Sequence, residues 1–328
     1  MILNIIHLLI VLIVSFIIIS KSSFIAKKIK IIDLPKKQSI HNKPIPKTGG
    51  IVIALIITIN FLFLSFISGW EILKTVEFFS IISVFIIGLI DDVLDLKPSL
   101  RIFFLSFITF ILIYTNQIFL IEILNFKNFG ATSFLLGNFS LIFTIFCIIV
   151  FCNSFNFIDG INGLAISISL VWITLIPLGL NEKFSIIICL IYILISNIKN
   201  KIFLGNSGSL ILSFYMAIKF IEYYNKGQFL LADQIFICFL IPGLDLIRLF
   251  FERISNKRSP FSGDLNHLHH LLINNFSSKN KSLIIYIFIV LIPIITTIFF
   301  EIKSLTIIIT TIILYFVLIL SLKKKLSY

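Results

Sequence analysis

The stretch FFSIISVFIIGLIDDVLDLKPSLRIFFLSFITFILIY (78–114) holds two apolar runs joined by a short polar segment. The joint carries three carboxylates within five positions, Asp91, Asp92 and Asp95, followed by Lys97 and Arg101. Only 15 of the 328 residues are Asp or Glu, so this concentration needs a physical reason.

The same alternation of apolar runs and polar joints continues along the chain. Hydrophobic residues make up 59% of it and charged residues 13%, against about 25% charged in a soluble domain. Too little polar surface is left to coat a soluble particle. Runs of helix-spanning length with few internal charges favour helices over a β-barrel. The expected fold is all-α, a polytopic transmembrane helical bundle forming one integral membrane domain over 1–328. Eleven spans are expected, near 1–20, 49–68, 76–90, 102–118, 139–155, 163–180, 184–198, 208–222, 232–249, 283–299 and 304–322. Several fall short of the ~20 residues a perpendicular helix needs, so tilt or local thinning must help. The first run has no basic residue before Lys21 and no small-residue cleavage site, and reads as a retained span. Pro177, Pro242 and Pro293 are expected to mark kinks or boundaries.

Charge placement orients the bundle. With the N-terminus outside and the C-terminus cytoplasmic, every Lys and Arg falls on the inside except Lys74, Lys127, Lys183, Lys219, Lys226 and Lys303. This is the positive-inside pattern. The net charge of +12 then reflects topology and attraction to anionic inner-leaflet lipid, with no soluble basic module for nucleic acid. Cys147, Cys152, Cys189 and Cys238 lie within or beside apolar runs without a C-x-x-C pair, which argues for core residues over a zinc site or disulfide framework.

The unusual polar residues gather on the inside. Carboxylates at the bilayer centre would cost about 2.5–3.5 kcal/mol each, so Asp91 and Asp92 belong at the interface or in a wet cavity. They close a helix, where the macrodipole is unfavourable. A bound cation would resolve this, since hard oxygens suit Mg²⁺; a solvated helix end is the alternative. In FCNSFNFIDGINGLA (151–165), Asn153, Asn156 and Asp159 recur every third residue and share a helix face. In FLGNSGSL (203–210) a Gly-rich helix start could turn its N–H groups to an anion. His267, His269 and His270 follow the basic residues Arg253, Lys257 and Arg258; metal ligation, phosphate binding and simple solvation all remain open for them.

These segments, with IIDLPKKQSIHNKPIPKTGG (31–50), together resemble the polyprenyl-phosphate N-acetylhexosamine-1-phosphate transferases, the membrane superfamily that includes WecA and MraY. The likeness runs from about 31 to 272 in the same order. The first segment resembles the family's motif with an Asp–Pro, a His and a closing Pro-x-x-Gly-Gly. IDDVLDL resembles its double-aspartate motif, and NSFNFIDGINGL its Asn-x-x-Asn-x-x-Asp-Gly motif. SPFSGDLNHLHHLL, with its His-x-His-His, is similar to the WecA branch. The chain departs from the pattern at Asn206, where the family usually has an Asp that helps hold the metal.

The resemblance implies transfer of a UDP-activated N-acetylhexosamine-1-phosphate, such as GlcNAc-1-phosphate, to undecaprenyl or another polyprenyl phosphate, with UMP leaving. That step initiates cell-envelope polysaccharide synthesis in the bacterial inner membrane. It also implies Mg²⁺, with Mn²⁺ as the alternative ion, handled by Asp91, Asp92, Asp159 and Asn206, the three aspartates being catalytic. Asn153 and Asn156 would line the nucleotide side, and Phe203 would stack on uracil. His267, His269, His270 and Arg258 would face the diphosphate or sugar, Arg101 and Lys97 the lipid phosphate, and His41 belongs to the first motif. A homodimer is compatible with this reading. Two other classes compete: an ion-coupled transporter, and a family member whose Asn206 leaves it a binding protein.

Overall fold

The computed structural model describes residues 2–35, 43–127, 133–228, 230–259 and 266–325. It is a helical bundle in the order α1 (Ile2–Ser20), α2 (Ser22–Ile29), β1 (Ile32–Asp33), β2 (Ile45–Pro46), α3 (Gly49–Ser68), α4 (Ile72–Leu94) and α5 (Pro98–Thr115). There follow β3 (Ile123–Asn125), β4 (Ser133–Leu135), α6 (Ser140–Ile158), α7 (Leu164–Leu175), α8 (Leu180–Ile198) and α9 (Gly205–Asn225). The chain closes with α10 (Ala232–Ser255), α11 (Leu268–Phe276), α12 (Lys279–Phe299) and α13 (Ser304–Lys325). The strands form two small antiparallel pairs, β1 with β2 and β3 with β4.

Each of the eleven expected spans coincides with a helix. Among the described residues, nine are long and apolar enough to cross a membrane, and the protein is a multi-pass membrane protein. The other two differ for separate reasons. The apolar helix α7 has only 12 residues. Helix α9 has spanning length, but its sequence GNSGSLILSFYMAIKFIEYYN is too polar to stand out. It is the central helix, buried without a break from Ser207 to Ile221 and packed on α3, α4 and α6. A helix that meets protein on every side needs no lipid-facing surface, so hydropathy loses sight of it. The lipid-facing apolar surface is instead on helices such as α1 and α5, whose Phe16, Phe103 and Phe107 stand exposed.

Without a hydrophobic drive between helices in lipid, close backbone approach carries the packing. A Cβ added to Gly88 of α4 would lie 2.5 Å from the Cα of Ser207 on α9. Hence α4 and α9 touch backbone to backbone beside Asp91 and Asp92. About 20 Å further along α9, at the 1.5 Å rise of a helix, Lys219 pairs with Glu77 of α4 at 2.7 Å and with Glu222 at 2.8 Å. The two helices are thus joined at both ends.

Of the two expectations for Pro242 and Pro293, kink or boundary, the boundary is excluded, since both lie inside α10 and α12 and end neither; neighbouring helices satisfy freed backbone groups in such bundles. Two further local features go beyond the sequence expectation. Helix α10 continues past 249 to Ser255. The stretch between the expected spans 232–249 and 283–299 contains the nine-residue α11, on which His269 and His270 sit.

Candidate active site

The last turn of α4 places its two aspartates in different settings. Asp91 is buried; its Oδ1 accepts the Leu96 N–H at 2.8 Å and its Oδ2 lies 3.3 Å from Nη1 of Arg101. Arg101, in the first turn of α5, also donates through Nη2 to Oδ1 of Asn153 on α6 at 3.2 Å. Helices α4, α5 and α6 therefore meet through one buried ion pair. Removing either partner of such a pair typically costs about 3–5 kcal/mol.

Asp92 faces the other way. Its carboxylate accepts the backbone N–H groups of Asn206 and Ser207, both at 2.9 Å, and the Ser207 hydroxyl at 2.7 Å. These are the unpaired donors at the start of α9, where a negative charge is favoured. The Gly-rich helix start does receive an anion, and the anion is the protein's own Asp92. The unfavourable helix-end charge is thus relieved by a second helix for Asp92 and by Arg101 for Asp91. Gly205 makes the contact available: its φ is +74°, and a Cβ there would lie 2.7 Å from Oδ2 of Asp92. Lys47 adds a cation, its Nζ being 3.6 Å from Asp92 and 3.8 Å from Asp33.

Asp159 caps the end of α6. Burial, and then the neighbouring Asp92 charge, push it up to about 8. Two repelling carboxylates with hard oxygens suit a dication that takes one or two carboxylates and leaves room for phosphate and water. Among the described residues no group of three or more His, Cys, Asp or Glu is set to hold a metal. Asn156 accepts a hydrogen bond from the Ser209 hydroxyl, and Asn206 supplies its carbonyl to the same hydroxyl at 3.2 Å. Asn156 thereby docks α6 on the first turns of α9.

The histidines approach from α10 and α11. His267 precedes α11, and its Nδ1 is 2.9 Å from Oδ2 of Asp245. Its ring lies 5.1 Å from that of Phe157 and stacks on His269 at 5.3 Å. His269 is buried against Gly160, the residue after Asp159, with its Nε2 lacking a hydrogen-bond partner among the described residues. Burial, then His270 and His267, hold its proton affinity well below the ordinary histidine value. His270 is half-buried, 4.1 Å from His269.

Asp91, Asp92, Arg101, Asn153, Asn156, Asp159 and Asn206 are therefore gathered at one end of the bundle, with His267, His269 and His270 beside the end of α6. Phe203 is half-buried between α8 and α9, its N–H donating to Pro46 O at 2.8 Å and its carbonyl accepting from Gly49 N–H at 3.0 Å. Arg258 is exposed past the end of α10, and Lys97 is exposed before α5. His41 lies outside the described residues. Three residues join the site that sequence patterns had not singled out as site residues: Lys47, Asp245 and Arg253. Arg253 is buried, its guanidinium 5.7 Å above the Phe157 ring. Lys47 lies inside the closing Pro-x-x-Gly-Gly of the first motif and Arg253 among the basic residues before the histidines, whereas the one sequence signal of Asp245 is a charge within an apolar span.

Residues 75–224 match the model of glycosyl transferase family 4. The chain is 30% identical over 279 residues to an undecaprenyl-phosphate alpha-N-acetylglucosaminyl 1-phosphate transferase of Thermotoga maritima, covering 84% of each chain. It is 25% identical to the protein of the same name from Escherichia coli K12, covering 80% of this chain and 74% of that one. A Bacillus subtilis protein, named a probable undecaprenyl-phosphate N-acetylglucosaminyl 1-phosphate transferase, is 26% identical over 80% of this chain and 75% of its own. With a likeness that runs through nearly the whole bundle and includes the helices that carry the paired aspartates, this chain belongs to glycosyl transferase family 4, the polyprenyl-phosphate phosphosugar transferases.

Proposed function

We propose that the protein transfers N-acetylglucosamine-1-phosphate, or another N-acetylhexosamine-1-phosphate, from its UDP derivative to undecaprenyl phosphate. An oxygen of the lipid phosphate bonds to the β-phosphorus of the donor as the bond to UMP breaks. The product is a polyprenyl diphosphate sugar. The site end of the bundle faces the cytoplasm in this reading, as the basic residues favour, and the membrane is the bacterial inner membrane.

One observation carries the chemistry: Asp92 sits on the first N–H groups of α9, close enough to Asp159 at the end of α6 for its charge to act there, with Lys47 and Arg101 flanking the paired aspartates. Phosphoryl transfer asks mainly for positioning and for neutralisation of phosphate charge. In this reading Lys47 and Arg101 draw in the phosphate groups. Asp92, held by α9, and Asp159 would hold Mg²⁺ with Asn206, and the bound ion would neutralise the donor diphosphate. Asn153 and Asn156 keep α6 in register so that Asp159 stays at this point.

The test is direct. Purified protein in detergent or nanodiscs is incubated with labelled UDP-N-acetylhexosamines, undecaprenyl phosphate and Mg²⁺, and the lipid product is identified. A labelled polyprenyl diphosphate sugar with equimolar UMP supports the reading. Absence of any lipid-linked sugar across the donors overturns it.

A further inference from the structure

Asp245 lies in the span α10, where a carboxylate is costly and a functional role is the default expectation. Its two oxygens are divided unequally. Oδ1 takes the Tyr315 hydroxyl at 2.8 Å, Nη2 of Arg248 at 2.8 Å and the Leu268 N–H at 3.1 Å. Among the described residues Oδ2 takes only Nδ1 of His267, at 2.9 Å. Arg248 reaches on to the carbonyl of Asn266 at 2.6 Å and to Glu252 at 2.9 Å, and its Nε donates to Tyr315 at 2.9 Å. The backbone is thus held on both sides of His267 while its ring is held by Asp245.

We propose that Asp245 is the positioning residue for His267 in the transfer reaction, with Tyr315 of the last helix keeping Asp245 in place. The proposal rests on the function proposed above. A carboxylate on Nδ1 places the ring proton there and turns Nε2, which has no hydrogen-bond partner among the described residues, to the substrate side. Substrate donors such as a sugar hydroxyl then meet a fixed acceptor in place of a rotating ring. Because Oδ1 is filled by three other donors, Oδ2 has no competing partner, which holds the ring to one orientation.

The experiment is a double-mutant cycle on kcat and KM for the UDP-sugar in nanodiscs. Asp245→Asn is expected to lower kcat/KM at least about tenfold in the native background. In a His267→Ala background the same change is expected to cost less than about threefold, because the ring through which it acts is gone. Equal losses in both backgrounds overturn the proposal and leave Asp245 a structural clamp. ¹⁵N-histidine spectra give a second readout: His267 should be Nδ1-protonated in the native protein and should change tautomer in Asp245→Asn. A native His267 protonated at Nε2 alone overturns the proposal as well. If Asp245→Asn does not accumulate in membranes, Tyr315→Phe replaces it in the cycle, with a smaller loss expected that also vanishes without His267. Native protein that transfers no sugar refutes the proposed function instead, a result distinct from active protein with additive losses.

Discussion

Nε2 of His269 lies 1.9 Å from the point where a Cβ on Gly160 would stand. The imidazole tip therefore occupies the space of a missing side chain, directly after Asp159. This is the physical link between the aspartate segment of α6 and the histidine segment of α11. It makes the glycine of the Asp-Gly pair a requirement of its neighbour's packing.

Gly160→Ala should therefore push His269 out and displace Asp159. Overpacking of this kind costs about 1–3 kcal/mol, and a misplacement of about 1 Å at a reacting group can cost about a hundredfold in rate. Turnover and thermal midpoint in detergent should both fall. Adding His269→Ala should recover much of the midpoint, because the space is returned. A Gly160→Ala protein with native midpoint and turnover would contradict the packing.

Asp92→Asn should cost both stability and activity. The N-terminus of α9 loses an anionic cap, worth about 0.5–2 kcal/mol, and the metal side of the site loses a charge. Turnover should drop by orders of magnitude, with the loss in kcat. Asp91→Asn should also lower turnover by orders of magnitude. It leaves Arg101 half-paired between α4 and α6, so its stability loss should be the larger of the two. Thermal unfolding and steady-state kinetics on both variants check the order.

Acid should destabilise the fold through His269. Burial keeps this ring neutral when folded, whereas an unfolded histidine takes up a proton below about pH 6.5. As pH falls through that value the unfolded chain binds the extra proton, so stability drops. Replacing His269 with Asn should flatten that part of the profile. Thermal midpoints measured from about pH 5 to pH 8, above and below the free-histidine value, give the comparison. An unchanged acid limb would assign the effect to other groups.

Asn206 sits in the first turn of α9 beside Asp92. As a metal ligand it offers a carbonyl oxygen without a charge. The missing charge is worth at most about 4 kcal/mol for a pair about 4 Å apart at an effective dielectric of about 20. Asn206→Asp should lower the Mg²⁺ concentration needed for half-maximal rate. An unmoved midpoint in a Mg²⁺ titration would separate Asn206 from the metal. A native protein without activity that Asn206→Asp revives would favour the binding-protein reading.

The two arginines near the histidines should behave differently. Arg258 is exposed and its backbone N–H donates to Arg253 O at 2.8 Å, whereas Arg253 is buried over Phe157. Arg258→Ala should change the donor KM less than about threefold, as exposed charges contribute little. Arg253→Ala should raise it clearly more. Kinetics showing the reverse order would restore Arg258 to the donor side.

Composition and run length by themselves determined that the chain is a helical membrane bundle, because lipid admits only helices or closed barrels and apolar runs this long are helical. The three-residue spacing of Asn153, Asn156 and Asp159 likewise determined a shared helix face, since helical periodicity is local. The central α9 was less legible: its polar residues are satisfied by protein, and hydropathy senses only contact with lipid. Only the tertiary structure decided that Asp92 caps α9, that Arg101 belongs to Asp91 and that Asp245 and Tyr315 hold His267. Tyr315 lies 70 residues from Asp245 in the chain, on a helix outside every recognisable motif. Partners of that kind are chosen by where helices cross, and helix crossing depends on packing that no local pattern records.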